Sequence, residues 1–279
     1  MPVTRFAPSP TGLLHLGHAF AAGFAYQTAA GGSFLVRLED IDLTRSRPDY
    51  ETAIFADLSW LGFQWQQPVR RQSEHFDDYR AALAKLEALG LLYPCFCTRR
   101  DIANAGQAPQ GPDGPLYPGT CRALNIKDRA DRIASGVPYA LRLDVEKAVQ
   151  LAGSPLSWSD LDHGEFVASP AIFGDVVLAR KETPASYHLS VVVDDALQGI
   201  TLVTRGEDLL SATHLHRLLQ HLLDLPVPQY RHHRLIVDEE GRRLAKRDNA
   251  RSIQSLRESG WTPERVWQAV GMLGVHASA

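Results

Sequence analysis

Cysteine is scarce in this chain, with three in 279 residues. Two of them stand together as Cys95-Phe96-Cys97, and the third is Cys121. An odd, sparse set of this kind is no disulfide framework; it suits a reducing compartment and a metal site. A chain of this length buries roughly 75% of its unfolded surface, so covalent staples are not needed. Long apolar runs are also missing. Nothing reaches the ~18 residues of a membrane span, and no basic-then-apolar leader opens the sequence, so a cytoplasmic location without a membrane partner is expected. Charge of one sign is not in excess either: 29 basic against 32 acidic residues give a net charge of −3. Composition therefore carries no nucleic-acid signature, and any such contact must rest on a local patch. There is no HExxH zinc-protease pattern, no internal repeat and no extended low-complexity segment.

What is present alternates strands with helices. "VTRFA" reads as a short buried strand, "GHAFAAGFAYQTAA" as a buried helix ending before Gly31-Gly32, and "SFLVRLED" as a second strand. Ser46 or Asp49 is placed to cap a helix that Gly62 ends, and Ser73 to open another that Gly90 closes. Such alternation predicts a parallel sheet with helical crossovers. From about residue 91 to 185 the texture changes. The Gly- and Pro-rich "ANAGQAPQGPDGPLYPGT" cannot be one regular element, and mixed short segments follow. The α/β pattern resumes with "YHLSVVVDD", "GITLVTRG", the helix "SATHLHRLLQHLL" and the strand "HHRLIVDE". The expected division is a catalytic first half (1–90), an inserted subdomain (91–185), a second half (186–240) and a charged loop with short helices (241–279).

The stretch "RFAPSPTGLLHLGH", Arg5 to His18, has no purpose in a packed core. Its prolines and Gly12 make a tight turn between a strand end and a helix start, the crevice where open α/β sheets bind ligands. His15 falls near the helix start and His18 about one turn on, so both rings can face one ligand. Backbone N–H groups there favour an anion such as phosphate. Neutral imidazoles can then donate to phosphate oxygens as charge builds during displacement at phosphorus.

"PSPTGLLHLGH" resembles the HIGH signature of class I aminoacyl-tRNA synthetases, in their glutamate and glutamine branch. "RLAKR", Arg243 to Arg247, resembles that class's KMSKS loop, with Arg243, Ala245 and Arg247 departing from the pattern and Lys246 matching its second lysine. The resemblance runs from Arg5 to about Arg247. It implies a Rossmann-like doubly wound parallel sheet carrying an inserted zinc-containing α+β subdomain and short C-terminal helices. It also implies that His15, Gly17, His18 and Lys246 hold ATP, with His15, His18 and Lys246 catalytic. Phe6, Ala7, Pro8 and Ser9 would line a glutamate pocket. There Arg5 and Arg205 suit the side-chain carboxylate, since guanidinium binds carboxylate in a fixed fork. Tyr187 adds a hydroxyl and Glu39 takes the ammonium. Val191 departs from the polar residue usual in the tRNA-charging enzymes.

Within the family the sequence is most like short glutamyl enzymes that attach glutamate to queuosine, a modified base in the tRNA(Asp) anticodon. Only 32 residues follow Arg247 (279 − 247), fewer than the ~50 of a usual domain, so no helical anticodon-binding domain is expected. The resemblance assigns Cys95, Cys97, Tyr117 and Cys121 to one structural zinc. Three thiols supply most of the four ligands such a site takes, and a water or His163 can replace the unusual phenolate.

The expected protein is thus a monomeric ligase using ATP with Mg²⁺, L-glutamate and queuosine-bearing tRNA(Asp). Rival readings are a truncated glutamyl-tRNA synthetase charging tRNA(Glu), a small-molecule nucleotidyltransferase on the same fold, and a non-catalytic tRNA-binding relative.

Overall fold

Four residues, Val3–Phe6, form the first strand, β1, and feed the proline loop. The computed structural model describes residues 1–104, 109–236 and 251–272. Helix α1 (Leu16–Ala29) returns the chain to β2 (Ser33–Leu38), which pairs parallel to β1 with Arg5 opposite Leu35. Small residues explain α1: Ala19, Ala22 and Ala25 are buried, and a side chain at Gly23 would sit 3.0 Å from Met272 Sδ. The helix ends at Ala30 with φ of 47°, ahead of Gly31-Gly32 as expected. A Cβ at Gly32 would lie 2.0 Å from the Pro2 carbonyl, so only glycine fits there.

Helix α2 (Pro48–Trp60) and strand β3 (Gln66–Arg71) complete the first half, with β3 parallel to β2. The expected caps differ here. α2 starts from Arg47 with Pro48 in its first turn and has no side-chain cap, because proline's fixed φ and missing N–H suit that turn. Ser73 sits inside a 3₁₀ turn (Gln72–Glu74) and opens no helix; its N–H and hydroxyl donate to Asp40, and α3 (Phe76–Ala88) begins after His75.

The insertion follows as β4 (Leu92–Cys95), α4 (Arg99–Asn104), the two-residue strands β5 (Gln110–Gly111) and β6 (Gly114–Pro115), α5 (Ile126–Ala134), β7 (Ala140–Leu143) and α6 (Val145–Ala152). Strand β8 (Ser157–Asp160) turns into β9 (Gly164–Val167), and β10 (Val177–Arg180) closes the segment. The antiparallel sheet β10-β7-β4 is the insertion's own. The β8–β9 hairpin differs from the expected division: it lies within 91–185, yet β8 pairs parallel to a strand of the second half, β12 (Gln229–His233). Trp158 supplies the reason, since it is 2% exposed and packs on Tyr230 and Phe166.

"YHLSVVVDD" becomes α7 (Tyr187–Leu197), capped by Ser186. Strand β11 (Leu202–Gly206), helix α8 (Ala212–Leu222) and β12 restore the parallel sheet, β11 beside β12. The two parallel sheets meet where Thr201 N–H donates to the Val3 carbonyl at 3.1 Å. Short helices α9 (Ile253–Glu258) and α10 (Pro263–Ala269) pack on α2 and α1. The carboxyl ends of β1, β2 and β11 therefore open at one edge of the sheet. The fold is the doubly wound α/β architecture expected from the sequence, with the cysteine-bearing insertion set into it.

Candidate active site

At that edge lies a cavity of about 490 Å³ whose walls include Arg5, Phe6, Ala7, Pro8, Ser9, His15, Gly17, His18, Glu39, Tyr187 and Arg205. These are all the cleft residues singled out from sequence except Lys246. Residues 243–247, with Lys246, lie outside the described residues. The described chain stops at Ile236, which lines the cavity, and resumes at Arg251, where Ser252 pairs with His15 and Ile253 N–H donates to the Leu14 carbonyl. A second chamber of about 360 Å³ shares Ser9, Thr11, Glu39 and Tyr187 with the first and continues past Asp42, Arg45 and Arg180.

The histidines are fixed by the start of α1. His15 is its N-cap: its Nδ1 accepts from Gly17 N–H at 3.1 Å, while its own N–H donates to His18 Nδ1 at 3.2 Å. The two rings lie 3.8 Å apart. With both Nδ1 atoms accepting, each neutral ring carries its proton on Nε2. The helix start thus places two imidazole Nε2–H donors at the positive end of the helix dipole, an arrangement for binding phosphate.

Below the cavity floor is a buried ionic cluster. Arg5 donates to both carboxylate oxygens of Asp195, at 2.9 and 3.2 Å, and to the Thr204 carbonyl at 2.9 Å. Arg37, fully buried, joins Asp195 at 2.7 Å and Glu39 at 3.2 Å. Asp194 receives Arg70 and Gln72, each at 2.7 Å, and Tyr79 at 3.0 Å. Burial pushes the Asp195 carboxyl up, but Arg5 and Arg37 outweigh it and hold the group below its usual range. Glu39 goes the other way: burial raises it, against the pull of Arg37 and Arg5. A cation placed beside Glu39 would complete its neutralisation.

Arg205 is different. It is 6% exposed, and among the described residues no carboxylate lies within 4.0 Å of it. Its partners are neutral: Nε donates to His232 Nε2 at 3.1 Å, Nη1 to His216 Nδ1 at 3.0 Å and Nη2 to Thr213 Oγ1 at 2.5 Å. These bonds use three of the five N–H groups of the guanidinium, and Arg205 and Tyr187 both line the cavity. Burial and the Arg205 charge push His232 down to about 4 and His216 well below its ordinary value. Asp160 accepts from His232 at 2.7 Å and from His163 at 2.8 Å; these bonds hold it at about 2 despite burial. The cavity therefore ends in a buried positive charge with no carboxylate within 4.0 Å among the described residues.

Sequence reasoning missed Arg37, Asp194, Asp195, Thr213, His216 and His232. The available signal was charge inside apolar runs: Arg37 interrupts "FLVRL", and Asp194-Asp195 follow three valines. Val191, by contrast, is 1% exposed in the core between α7 and its neighbours and does not line the cavity.

Away from the cavity, the sulfurs of Cys95, Cys97 and Cys121 lie within 4.8 Å of one another, a group able to hold a metal ion. Cys97 and Cys121 are 3.5 Å apart, far beyond a disulfide bond and near the roughly 3.8 Å expected between thiolates sharing a tetrahedral zinc. The Tyr117 hydroxyl is 3.5 Å from Cys97 Sγ and accepts from Cys121 N–H at 2.7 Å. Phe96 N–H donates to Cys121 Sγ at 3.3 Å, support of the kind that orients a metal ligand. The donors fit a soft divalent metal such as zinc. His163 does not belong to this group; its ring is bound to Asp160 beside Glu207.

A model of tRNA synthetases class I (E and Q), catalytic domain, matches residues 2–279. A glutamyl-Q tRNA(Asp) synthetase of Rhodobacter capsulatus is 49% identical over 97% of this chain and 100% of its own length. A glutamate–tRNA ligase of Aquifex aeolicus is 39% identical over 97% of this chain, which spans 57% of that longer protein. Among solved structures, the glutamate-tRNA synthetase of Elizabethkingia anophelis superposes with a TM-score of 0.80 at 28% identity. That match covers 98% of this chain and 62% of the other. With the family model matching residues 2–279 and a relative covered end to end, the chain is a ligase of the class I aminoacyl-tRNA synthetase family, in the glutamyl-Q tRNA(Asp) synthetase branch.

Proposed function

We propose that this chain activates L-glutamate with ATP, without tRNA, and passes the glutamyl group to queuosine in the anticodon of tRNA(Asp). The observation that carries the reading is Arg205, a buried cation with neutral partners at the end of a cavity whose mouth presents two imidazoles. The glutamate side-chain carboxylate supplies its missing anion, with the Tyr187 hydroxyl as a further donor. Glu39, held from behind by Arg37, receives the ammonium. Arg5 keeps its bonds to Asp195 and adds positive potential at the cavity wall. Ser9 and the backbone from Phe6 to Pro8 shape the floor.

This placement leaves the α-carboxylate facing the phosphates. One of its oxygens attacks the α-phosphorus, the bond to the bridging oxygen breaks, and pyrophosphate leaves. No base is needed, because the carboxylate is already ionised at neutral pH. His15 and His18 donate from Nε2 to the phosphate oxygens as charge develops, an effect typically worth about 2.7–4 kcal/mol per donor. Lys246 is assigned to the leaving pyrophosphate. Mg²⁺ travels with ATP, held mostly by phosphate and water, and neutralises charge there. A queuosine hydroxyl then attacks the activated carbonyl and displaces AMP, the base entering through the chamber beside Asp42 and Arg180. RNA loops present splayed bases to proteins in this way. Zinc on Cys95, Cys97 and Cys121, with the Tyr117 hydroxyl completing the set, holds the insertion together.

The direct test is ATP–pyrophosphate exchange without tRNA. Glutamate should support it and glutamine should not, because Arg205 gains no counter-charge from an amide. Exchange that requires tRNA, or that runs equally well on glutamine, would overturn this reading.

A further inference from the structure

Arg205 Nη1 ends a longer chain of hydrogen bonds that leaves the cavity altogether. An arginine cannot accept, so Nη1 donates to His216 Nδ1 at 3.0 Å. That fixes the neutral His216 ring with its proton on Nε2, which points at His188 Nδ1, 3.1 Å away. His188 must accept there, so its own proton sits on Nε2, and that atom is 2.8 Å from Asp113 Oδ2. Neither histidine lines the cavity. His216 is 2% exposed on α8, His188 is largely buried on α7, and Asp113 is exposed on the turn between β5 and β6 in the insertion. On its other side Arg205 is held the same way by His232, whose Nδ1–H is committed to Asp160.

Each link has one consistent assignment of donor and acceptor, and a reversal at either end would face Arg205 with a second N–H. Orientation of a first ring nitrogen by the bond its second nitrogen makes is the general device by which proteins fix a histidine tautomer. We propose that Asp113, His188 and His216 form a positioning relay that aims Arg205 into the cavity, so that glutamate affinity depends on a side chain of the insertion. This inference rests on the assignment of Arg205 to glutamate made above, and it gives roles to three residues outside the cavity.

The test pairs kinetics with nitrogen chemical shifts on the full chain. In glutamate-dependent exchange, His188→Leu should raise the glutamate KM about 10-fold or more, the effect of losing support for a hydrogen bond to a charged group. His188→Gln, which can accept from His216 and donate to Asp113, should stay within about 2-fold. Asp113→Ala, at the exposed end, should raise KM only about 2–5-fold. Turnover and the ATP KM should be unchanged in all three. In the wild-type protein, ¹⁵N spectra at neutral pH should show His188 and His216 protonated on Nε2 and His232 on Nδ1.

A wild-type His216 protonated on Nδ1 or on both nitrogens would overturn the relay. So would a His188→Leu enzyme with unchanged glutamate KM, or equal loss of turnover in the Leu and Gln variants. Wild-type spectra as stated in a protein that shows no glutamate-dependent exchange would overturn the glutamate reading instead.

Discussion

Arg5 and Asp195, 190 positions apart in sequence, are locked by two hydrogen bonds of 2.9 and 3.2 Å beneath the cavity floor. The first strand and helix α7 are thereby tied through a buried ion pair that Arg37 shares. Arg5 and Arg205, alike in sequence analysis as two halves of one carboxylate clamp, have different physical situations. Arg5 already has a carboxylate partner, whereas among the described residues Arg205 has none within 4.0 Å.

Substituting the two should separate stability from substrate binding. Arg5→Met leaves Asp195 with one fewer buried partner, and breaking such a pair costs about 3–5 kcal/mol. Arg205→Ala leaves no buried carboxylate unpaired; it should cost less stability and raise the glutamate KM about 10–100-fold. Urea melts with exchange kinetics on both variants check this. Equal destabilisation with equal KM changes would contradict the distinction.

His15→Ala and His18→Ala should each lower turnover by about 10²–10³-fold, the usual loss for a donor to developing charge. Glutamate KM should move little, since neither ring touches the Arg205 end of the cavity. Because His15 Nδ1 caps α1 and His15 N–H holds His18, the His15 variant should also lose about 1 kcal/mol of stability. Steady-state kinetics and a thermal melt read both effects.

The residues singled out in the two motifs could be picked from the sequence because they interrupt it with proline, histidine and charge at strand ends. His15, His18, Ser9, Glu39, Tyr187 and Arg205 line one cavity. The supporting cluster was not legible. Arg37, Asp194 and His232 are drawn from strands and helices that read as buried, and nothing local says which buried charges will meet. Their partners are set by how β2, α7 and β12 pack, with sequence separations such as 158 residues for Arg37 and Asp195. The β8–β9 hairpin was hidden for a related reason: its pairing with β12 is decided by Trp158 finding Tyr230. Helix starts at Arg47 and His75 were misplaced for two reasons: Pro48 suits the first turn of α2 without a side-chain cap, and Ser73 is bound to Asp40.

Asp57 on α2 should shape the pH dependence of stability. Both its carboxylate oxygens are buried without a hydrogen bond, and Arg257 stands 3.4 Å away. Burial, only partly offset by Arg257, raises the group from 3.8 to about 6. The folded state therefore keeps a proton that the unfolded chain has released between those values. Asp57's favourable contribution is full below about 3.8 and is lost as pH rises through about 6. Asp57→Asn should flatten this part of the stability profile. At pH above about 7 it should add on the order of 1 kcal/mol, a figure discounted for solvent screening near Arg257. Denaturant melts from acid to neutral pH would show it; an Asn variant less stable at neutral pH would contradict the assignment.

Zinc should co-purify at about one ion per chain, since a closed site takes one. Without metal, burial pushes the Cys97 thiol up to about 11, so binding must release protons and should weaken as pH falls. Cys97→Ser should lower zinc content and loosen the insertion while leaving the wild-type His15–His18 arrangement at the start of α1. Elemental analysis and limited proteolysis measure this. Metal-free protein prepared without chelators, folded and active, would contradict a structural zinc.

The acceptor is where the proposed function is most exposed to contradiction. Radiolabelled glutamate and ATP should be incubated with tRNA(Asp) carrying queuosine, tRNA(Asp) lacking it, and tRNA(Glu). The first alone should become labelled, and oxidation of the queuosine diol beforehand should abolish the signal. Label on tRNA(Glu), or on tRNA(Asp) without queuosine, would contradict the account.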